Sequence, residues 1–310
     1  MKVLVTGASG FIGSAVINKL NEQSIPYVAV GRKCPVAIAE ENFITVDLSS
    51  HTIVSLTNVL KSTKCTHLLH LAWYVEAGQF WEAPENIDWV AYSLMLFRAF
   101  HAAGGNVIVS TGSCAEYGSS NEILSEVHNV STPTTLYGTA KLSLKNIASS
   151  WAKKHHVNFR WARIFFAYGP GMPNTKLIPS LIRCLQGSQP IFSVNALDRR
   201  DFIYIDDIAQ AMLCLLTASS NGVFNVCNEK GHSVFDILSL LQDFTGLDAS
   251  AVKSIAKTNT LNFPIVGRSG LLKETGWQPK YDLASGLKQM VTAHKSPAAG
   301  IYNENHDRHR

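Results

Sequence analysis

A glycine-rich turn between a strand-like run and a helix-like run constrains this chain more than any other feature. The β-rich run Lys2 to Thr6 leads into Gly7-Ala8-Ser9-Gly10-Phe11-Ile12-Gly13, after which apolar residues recur at helical spacing as far as Leu20. Glycines there permit a tight turn, and they let backbone N–H groups and a helix N-terminus approach a pyrophosphate. The turn therefore predicts dinucleotide binding. The predicted contact residues are Gly7, Ser9, Gly10, Phe11, Ile12 and Gly13.

Strand-like and helix-like segments alternate through the first half of the chain. The further predicted strands are Ile25 to Val30, Phe43 to Val46, His67 to Ala72, Val107 to Thr111 and Phe159 to Phe165. The predicted helices between them are Ile53 to Lys61, Ile87 to Ala103 and Leu136 to Lys154. Most of the strands are nearly continuous apolar runs, as strands covered by helices on both faces require. This alternation predicts an α/β fold with a Rossmann-type, doubly wound parallel sheet.

The pattern changes after Phe166, where glycines and prolines cluster in a loop. Beyond it we expect a helix over Leu177 to Leu185, a strand at Ile203 to Ile205, a helix over Asp206 to Leu216, and mixed short elements to about Ala293. The predicted first domain spans residues 1–168 and also receives about 198–220. A smaller α/β substrate-binding domain mainly occupies 169–300, and the polar tail 301–310 is expected to be disordered.

Charge and cysteine content exclude several classes of protein. The chain of 310 residues has 27 Lys+Arg against 23 Asp+Glu, and the basic residues are scattered, so no nucleic-acid partner is expected. No run approaches the roughly 18 apolar residues of a membrane helix. The six cysteines are dispersed without metal-ligand spacing, which favours free thiols, no metal site and a reducing compartment. With no leader-like segment at its start, the chain is expected to be cytoplasmic.

The residues after the second predicted strand favour one form of the dinucleotide. No carboxylate is present in Val30-Gly31-Arg32-Lys33 to bond the ribose 2'-hydroxyl of NAD. Arg32 with Lys33 suits a 2'-phosphate, because a guanidinium makes charge-assisted bonds to phosphate. The sequence therefore favours NADP(H) over NAD(H), with a solvated basic turn as the alternative.

Asp47 closes the third predicted strand and is predicted to accept a hydrogen bond from the adenine amino group. The alternative is a helix N-terminal cap, although Ser49 and Ser50 are better placed for capping.

Several further motifs lie in one order along the chain. They are Val46-Asp47-Leu48, His70-Leu71-Ala72, Ser113 to Gly118, Tyr137-x-x-x-Lys141, Arg163, Tyr168 to Gly171, and Arg200 to Asp207. Together with the glycine turn, this set resembles the extended short-chain dehydrogenase/reductases, specifically their nucleotide-sugar epimerase, dehydratase and 4-ketoreductase group. The resemblance covers essentially the whole chain. It implies that Leu48, Leu71 and Ala72 also border the cofactor.

Tyr137 and Lys141 are four residues apart in a helix-forming stretch, so they share one face. A neighbouring ammonium favours the phenolate and brings the phenol pKa down from about 10 toward the working range. The resemblance implies that Ser113, Tyr137 and Lys141 are catalytic, that Tyr137 and Lys141 also contact the cofactor, and that Lys141 bonds its nicotinamide ribose. Ser113 and Tyr137 are expected to bond the substrate oxygen.

The residues around Ser113 separate the activities of this group. Dehydratases carry an Asp-Glu pair where this chain has Cys114 and Ala115, so dehydration is not expected. Epimerase-reductases use a Cys two residues before the equivalent of Tyr117 and a later His, and both are missing here. The leading hypothesis is NADPH-dependent reduction of the C4 keto group of a nucleoside-diphosphate 4-keto-6-deoxyhexose. The alternative is a nucleotide-sugar 4-epimerase with tightly bound NAD.

Substrate contacts follow from position and from the resemblance. Trp73 and Tyr74 come after the fourth predicted strand and are predicted to line a sugar pocket, with ordinary packing as the alternative. By resemblance, Arg200 binds the substrate diphosphate, Leu177 borders the base, and Arg268 takes the place of a second diphosphate-binding arginine. A homodimer is expected through the helices 87–103 and 136–154.

Overall fold

The computed structural model describes residues 1–120, 122–195, 197–254 and 264–295. Its strands are β1 (Val3–Thr6), β2 (Tyr27–Gly31), β3 (Phe43–Thr45), β4 (His67–His70), β5 (Val107–Ser113), β6 (Asn158–Ile164), β7 (Phe166–Tyr168), β8 (Arg200–Tyr204), β9 (Gly222–Val226) and β10 (Gly231–His232). Its helices are α1 (Phe11–Glu22), α2 (Ile53–Thr63), α3 (Glu85–Ala102), α4 (Leu136–Lys154), α5 (Leu177–Leu185), α6 (Ile205–Thr217), α7 (Val234–Thr245), α8 (Ser250–Ser254), α9 (Gly270–Lys273) and α10 (Leu283–Lys295).

The large sheet has seven parallel strands in the order β3-β2-β1-β4-β5-β6-β9. Helices connect most of the successive strands and cover both faces, which confirms the predicted Rossmann-type doubly wound fold. The chain reverses its direction across the sheet at β1 and β4, whose carboxyl ends lie side by side through the pair Thr6 and His70. Ligands of such sheets bind at this edge.

Each face of the large sheet has its own core. Successive side chains of a strand point to opposite faces, so Val3 and Val5 join one hydrophobic cluster and Leu4 joins the other. Helices α1 and α6 pack together on the first face, and α3 packs between α2 and α4 on the second. Arg160 fixes the end of α6, because its buried guanidinium donates to the carbonyls of Leu216, Ala218 and Ser220.

The second half of the chain adds a small sheet in the order β10-β8-β7, with α5, α7 and α10 around it. The expectation of only short elements as far as Ala293 was wrong. Helix α7 buries Val234, Ile237, Leu238 and Leu241, and a capping box of Ser233 and Asp236 starts it.

The chain returns to the large sheet between β8 and β10, two neighbouring strands of the small sheet. Helix α6 and strand β9 return there, and β9 pairs with β6 at the sheet's edge. Residue 205, predicted to end a strand, instead begins α6. The predicted disordered tail 301–310 lies outside the described residues. Among the residues that are described, no helix has the length and apolar composition needed to cross a bilayer.

Candidate active site

The glycine turn is pressed against the backbone that follows β4. Gly7 has a φ of 72°, and a Cβ there would lie 2.6 Å from the backbone nitrogen of Ala72. A Cβ on Gly13 would lie 1.9 Å from the Gly7 carbonyl oxygen, so α1 begins directly on the turn. Gly10 starts α1 without a side-chain cap, which leaves the first N–H groups of the helix to a ligand. This cradle of backbone groups fits the pyrophosphate of a dinucleotide.

A buried hydrogen-bond chain fixes the strand ends beneath the turn. Ser93 donates to the Trp89 carbonyl, so its Oγ accepts from Nε2 of His70 at 2.8 Å. The other ring nitrogen, Nδ1, then accepts from Thr6 Oγ1, also at 2.8 Å, and Thr6 Oγ1 accepts from the Ala72 N–H. Burial lowers the pKa of His70 to about 3, and the Lys141 charge acts in the same direction, so the imidazole stays neutral. The histidine of the His70-Leu71-Ala72 motif thereby holds the predicted cofactor contacts in place.

The residues predicted to select the dinucleotide lie after β2 and β3. Arg32 and Lys33 are exposed. Asp47 Oδ1 accepts from the Ser49 N–H at 3.0 Å and from the Ser49 hydroxyl at 2.7 Å. These bonds lower the Asp47 pKa, and the charge of Arg32 lowers it further.

The capping expectation for Ser49 and Ser50 was wrong. Asp47 itself caps the short 3-10 turn 48–50, and Thr52 caps α2 in a box with Ser55. Ser49 and Ser50 lie inside this 3-10 turn, before the residue that caps α2. The other Asp47 carboxylate oxygen, Oδ2, takes part in neither of the bonds to Ser49.

Ser113, Tyr137 and Lys141 come together at the end of β5 and on the first turns of α4. Lys141 is 3% exposed, and its Nζ donates to the Thr111 carbonyl at 2.9 Å. Burial lowers the Lys141 pKa to about 7, against the opposing charge of Glu116. Burial raises the Tyr137 pKa, and a hydrogen bond with the Ser113 side chain opposes that rise. The three predicted catalytic groups thus form one cluster in a site of low polarity.

Aromatic rings surround Tyr137. The ring centroids of Phe80 and Trp81 lie 5.0 and 5.7 Å from that of Tyr137, and Trp73 lies at 6.5 Å, all edge to face. The Tyr137 N–H donates to the Trp81 carbonyl at 2.9 Å. Trp73, predicted to line a sugar pocket, is buried and turned toward Lys141, whereas Tyr74 is half-buried. Phe80 and Trp81 were not among the predicted site residues.

The buried carboxylate of Glu116 holds the backbone of Ser113 in place. Glu116 is fully buried and accepts from the Ser113 N–H at 2.8 Å, from Trp161 Nε1 at 2.9 Å and from Arg163 Nε at 2.7 Å. These three donors belong to β5 and β6, two neighbouring strands of the large sheet. The only signal for this role in the sequence is an acidic residue inside the Ser113 to Gly118 motif.

The remaining predicted substrate contacts belong to the second half of the chain. Arg200 pairs with Asp198 at 3.2 Å, and its guanidinium lies 5.2 Å from the Phe166 ring centroid. Burial raises the Cys114 pKa to about 12, and the charge of Arg200 counteracts this, so Arg200 lies near the residue after Ser113. Leu177 begins α5, and Arg268 is exposed. Within the described ranges, no hydrogen bond joins Arg200, Leu177 or Arg268 to the Ser113 cluster.

Comparison with known proteins accounts for this arrangement of glycine turn and polar cluster. The sequence profile of the NAD dependent epimerase/dehydratase family matches residues 3–227. The chain belongs to this family. The predicted resemblance to the nucleotide-sugar group of extended short-chain dehydrogenase/reductases is confirmed.

Relatives of this epimerase/dehydratase chain align over nearly its full length. UDP-glucose 4-epimerase of Corynebacterium glutamicum is 26% identical over 91% of this chain and 92% of that protein. CDP-abequose synthase of Salmonella typhimurium is 25% identical over 93% of this chain and 97% of that protein. The crystal structure of Thermus thermophilus UDP-glucose 4-epimerase in complex with NAD shares the fold, with a TM-score of 0.79 at 22% identity over 94% of this chain and 98% of the other.

The close approach in the glycine turn predicts the effect of a single methyl group. Gly13→Ala should weaken dinucleotide binding by about tenfold or more, because the added Cβ displaces the Gly7 carbonyl or the start of α1. Isothermal titration with NAD and NADP measures the affinity. Gly270→Ala is the matched control, since its Cβ would meet nothing within 4 Å. Equal dinucleotide affinity of the Gly13→Ala variant and the wild type would contradict the assignment of the turn.

Proposed function

We propose that this chain is a nucleotide-sugar 4-epimerase that retains NAD through turnover. The observation that carries the proposal is the cluster of Ser113, Tyr137 and Lys141 beside the glycine cradle, with Cys114 and Ala115 where a dehydratase needs its acid and base. The epimerase is favoured over the predicted 4-ketoreductase because several of the relatives are named as 4-epimerases.

The chemistry assigned to the cluster is proton transfer at one sugar oxygen. NAD, when bound, supplies the reversible acceptor for the hydride of the sugar carbon. Tyr137 takes the proton of the C4 hydroxyl and later returns it, while the Ser113 hydroxyl bonds the same oxygen. The Lys141 ammonium stabilises the phenolate of Tyr137. Inversion at C4 needs no further acid or base, because the keto sugar only has to present its other face.

The proposed cofactor is NAD, although the basic turn after β2 favoured NADP(H) in the sequence. The carboxylate of Asp47 lies near Arg32. The charge of Arg32 lowers the Asp47 pKa, although by less than the two hydrogen bonds from Ser49 do. The Thermus thermophilus epimerase is described in complex with NAD. We infer that Arg32 and Lys33 form the solvated basic turn that was the alternative interpretation.

The predicted 4-ketoreductase is the second candidate function. It is supported by the exposed pair Arg32 and Lys33, which is accessible to a 2'-phosphate, and by the similarity to CDP-abequose synthase. This enzyme would consume NADPH stoichiometrically, whereas the epimerase would need no added cofactor.

The two candidates are separated by an assay without added cofactor. The purified protein should interconvert UDP-glucose and UDP-galactose or another 4-epimeric pair, with the sugar configuration followed by proton NMR, and mass spectrometry of the denatured protein should find NAD. Tyr137→Phe should lower kcat by about 10²–10⁴-fold, because the phenol is the proton carrier. Tyr92→Phe is the matched control and should keep full activity, since the ring of Tyr92 packs against Trp89 rather than Tyr137 in the described contacts. NADPH consumption by a 4-keto sugar without any interconversion would reject the epimerase.

The pH dependence of kcat should have opposite signs for the two candidates. Lys141 and Tyr137 titrate as a coupled pair whose first proton leaves near pH 7, because burial lowers the Lys141 pKa to about 7. Burial keeps this first loss mainly on the Lys141 ammonium, but the phenolate–ammonium form of the pair holds the same number of protons, and the epimerase reacts from that form. Its kcat should therefore rise as the pH rises through 7. A reductase needs both protons of the pair, as phenol beside ammonium, so its kcat should fall over the same range. A profile that is flat across pH 7 would contradict the assignment of the pair.

We also infer that two copies associate through α3 and α4. These helices pack side by side, and each exposes an isoleucine, Ile87 at 62% and Ile147 at 50%. Light scattering of the wild type should give twice the mass of one chain, and Ile147→Asp should give a single chain. A monomeric wild type at micromolar concentration would contradict the pairing.

A further inference from the structure

Lys141 is held in the site by a carbonyl and an aromatic face. Its Nζ lies 3.7 Å from the ring centroid of Trp73 and donates to the Thr111 carbonyl at 2.9 Å. The lysine is almost fully buried, and no carboxylate among the described residues forms an ion pair with it. The face of Trp73 therefore stabilises the charged form of this side chain, together with the Thr111 carbonyl.

A ring face suits a catalytic ammonium in a way that a carboxylate does not. An ammonium has three N–H donors, and one is occupied by the Thr111 carbonyl. A π face attracts the cation without accepting a directed hydrogen bond from it. A carboxylate would take a donor and pair with the charge. Trp73 thus stabilises Lys141 while leaving two donors for ligands.

The orientation of Trp73 is fixed by a buried amide. The indole Nε1 donates to Asn86 Oδ1 at 2.8 Å. Asn86 is fully buried, and its Nδ2 donates to the carbonyls of Phe80 at 2.7 Å and Ala83 at 2.9 Å. Both amide protons are used, so Oδ1 must be the atom that accepts from the indole. The side-chain amide therefore permits one orientation of the ring.

The same amide also secures the surroundings of Tyr137. The Phe80 carbonyl that accepts from Asn86 belongs to a residue whose ring lies edge to face against Tyr137. The next carbonyl, that of Trp81, accepts the Tyr137 N–H. Asn86, at the start of α3, thus connects the Trp73 ring next to Lys141 with the residues Phe80 and Trp81 that pack around Tyr137.

We propose that Trp73, oriented by Asn86, is a positioning residue that holds the ammonium of Lys141 on its indole face. This inference rests on the proposed function, in which Lys141 takes part in catalysis. It gives Trp73 a different role from the predicted one of lining the sugar pocket. The exposed fraction of Trp73 is only 9%, which leaves little of the ring for a sugar.

Three other titratable groups surround Lys141. Tyr137 lies on the same helix, His70 comes from β4, and Glu116 comes from the turn after β5. His70 is neutral, and the Glu116 charge favours the ammonium. Removing the Trp73 ring leaves all three in place and withdraws one source of stabilisation from the cation. The Lys141 pKa should therefore fall.

The test measures the titration of Lys141 directly in the full-length protein. Lysine labelled with carbon-13 at the ε position reports each amine by NMR, and the Lys141→Met variant assigns the signal. Trp73→Leu should move the Lys141 midpoint down by about 0.5 to 1.5 pH units, because it removes the cation–π contact. Trp73→Phe keeps a ring face and should give a smaller shift. Trp89→Leu is the matched control, since Trp89 packs on Trp73 at 6.0 Å without covering Lys141 in the described contacts, and should give no shift.

The kinetic readout should follow the titration. The limb of kcat near pH 7 should move in Trp73→Leu by the same amount as the NMR midpoint, with little change in the KM for the sugar nucleotide. Asn86→Ser removes the bond to the indole but keeps the ring. It should shift the Lys141 midpoint and the kcat limb in the same direction as Trp73→Leu does, but by a smaller amount. It also provides the test if Trp73→Leu does not fold.

Two failures can be told apart. An unchanged Lys141 midpoint in folded Trp73→Leu, or in both Trp73→Phe and Asn86→Ser, would overturn the positioning role whatever the activity. A shifted midpoint in a protein that converts no nucleotide sugar would support the positioning role and reject the proposed function.

Discussion

Close backbone packing between the carboxyl ends of β1 and β4 determines where every other part of the site can lie. Gly7 meets the Ala72 backbone at a distance that excludes a side chain, and Thr6 is paired with His70 in the parallel register. The hydrogen-bond chain from Ala72 through Thr6 and His70 to Ser93 extends this packing to α3. Because α3 carries Asn86 in its first turn, the backbone contact of the cofactor cradle and the walls around Tyr137 and Lys141 belong to one rigid unit.

Burial works against charge at the polar cluster, and the surroundings oppose it only in part. It favours the neutral forms of both Lys141 and Tyr137, while Glu116 supports the ammonium and Ser113 opposes the rise of the phenol pKa. In such a site an ammonium and a phenolate stabilise each other far more than they would in water. The two groups therefore change charge together, and any contact that holds the ammonium also acts on the phenol.

Sequence periodicity predicted the parts of the fold that repeat, and it missed single long-range contacts. Helices α4 and α5 have the predicted bounds. The buried residues of α4 recur on one face, whereas those of α5 are consecutive from Ile178 to Ile182. The fold class and the grouping of Ser113, Tyr137 and Lys141 also followed from motifs in order along the chain. The role of Asn86 could not be predicted, since its partners Phe80, Ala83 and Trp73 lie in loops without periodicity. The Glu116 contact with Arg163 spans 47 residues and depends on β5 pairing with β6.

The motif Arg200 to Asp207 holds two buried carboxylates with structural roles beside a predicted substrate contact. Asp201 is fully buried and accepts from the N–H groups of Asn228, Glu229 and Gly267, which ties the loop after β9 and the strand-like residues 265–267 to β8. Asp207 accepts from the N–H groups of Lys280 and Tyr281 in the same way. Burial raises the Asp201 pKa to about 7 although three N–H groups oppose it. Both carboxylates thus join segments of the second half. The guanidinium of Arg200, which was predicted to bind the substrate diphosphate, is partly exposed and pairs with Asp198.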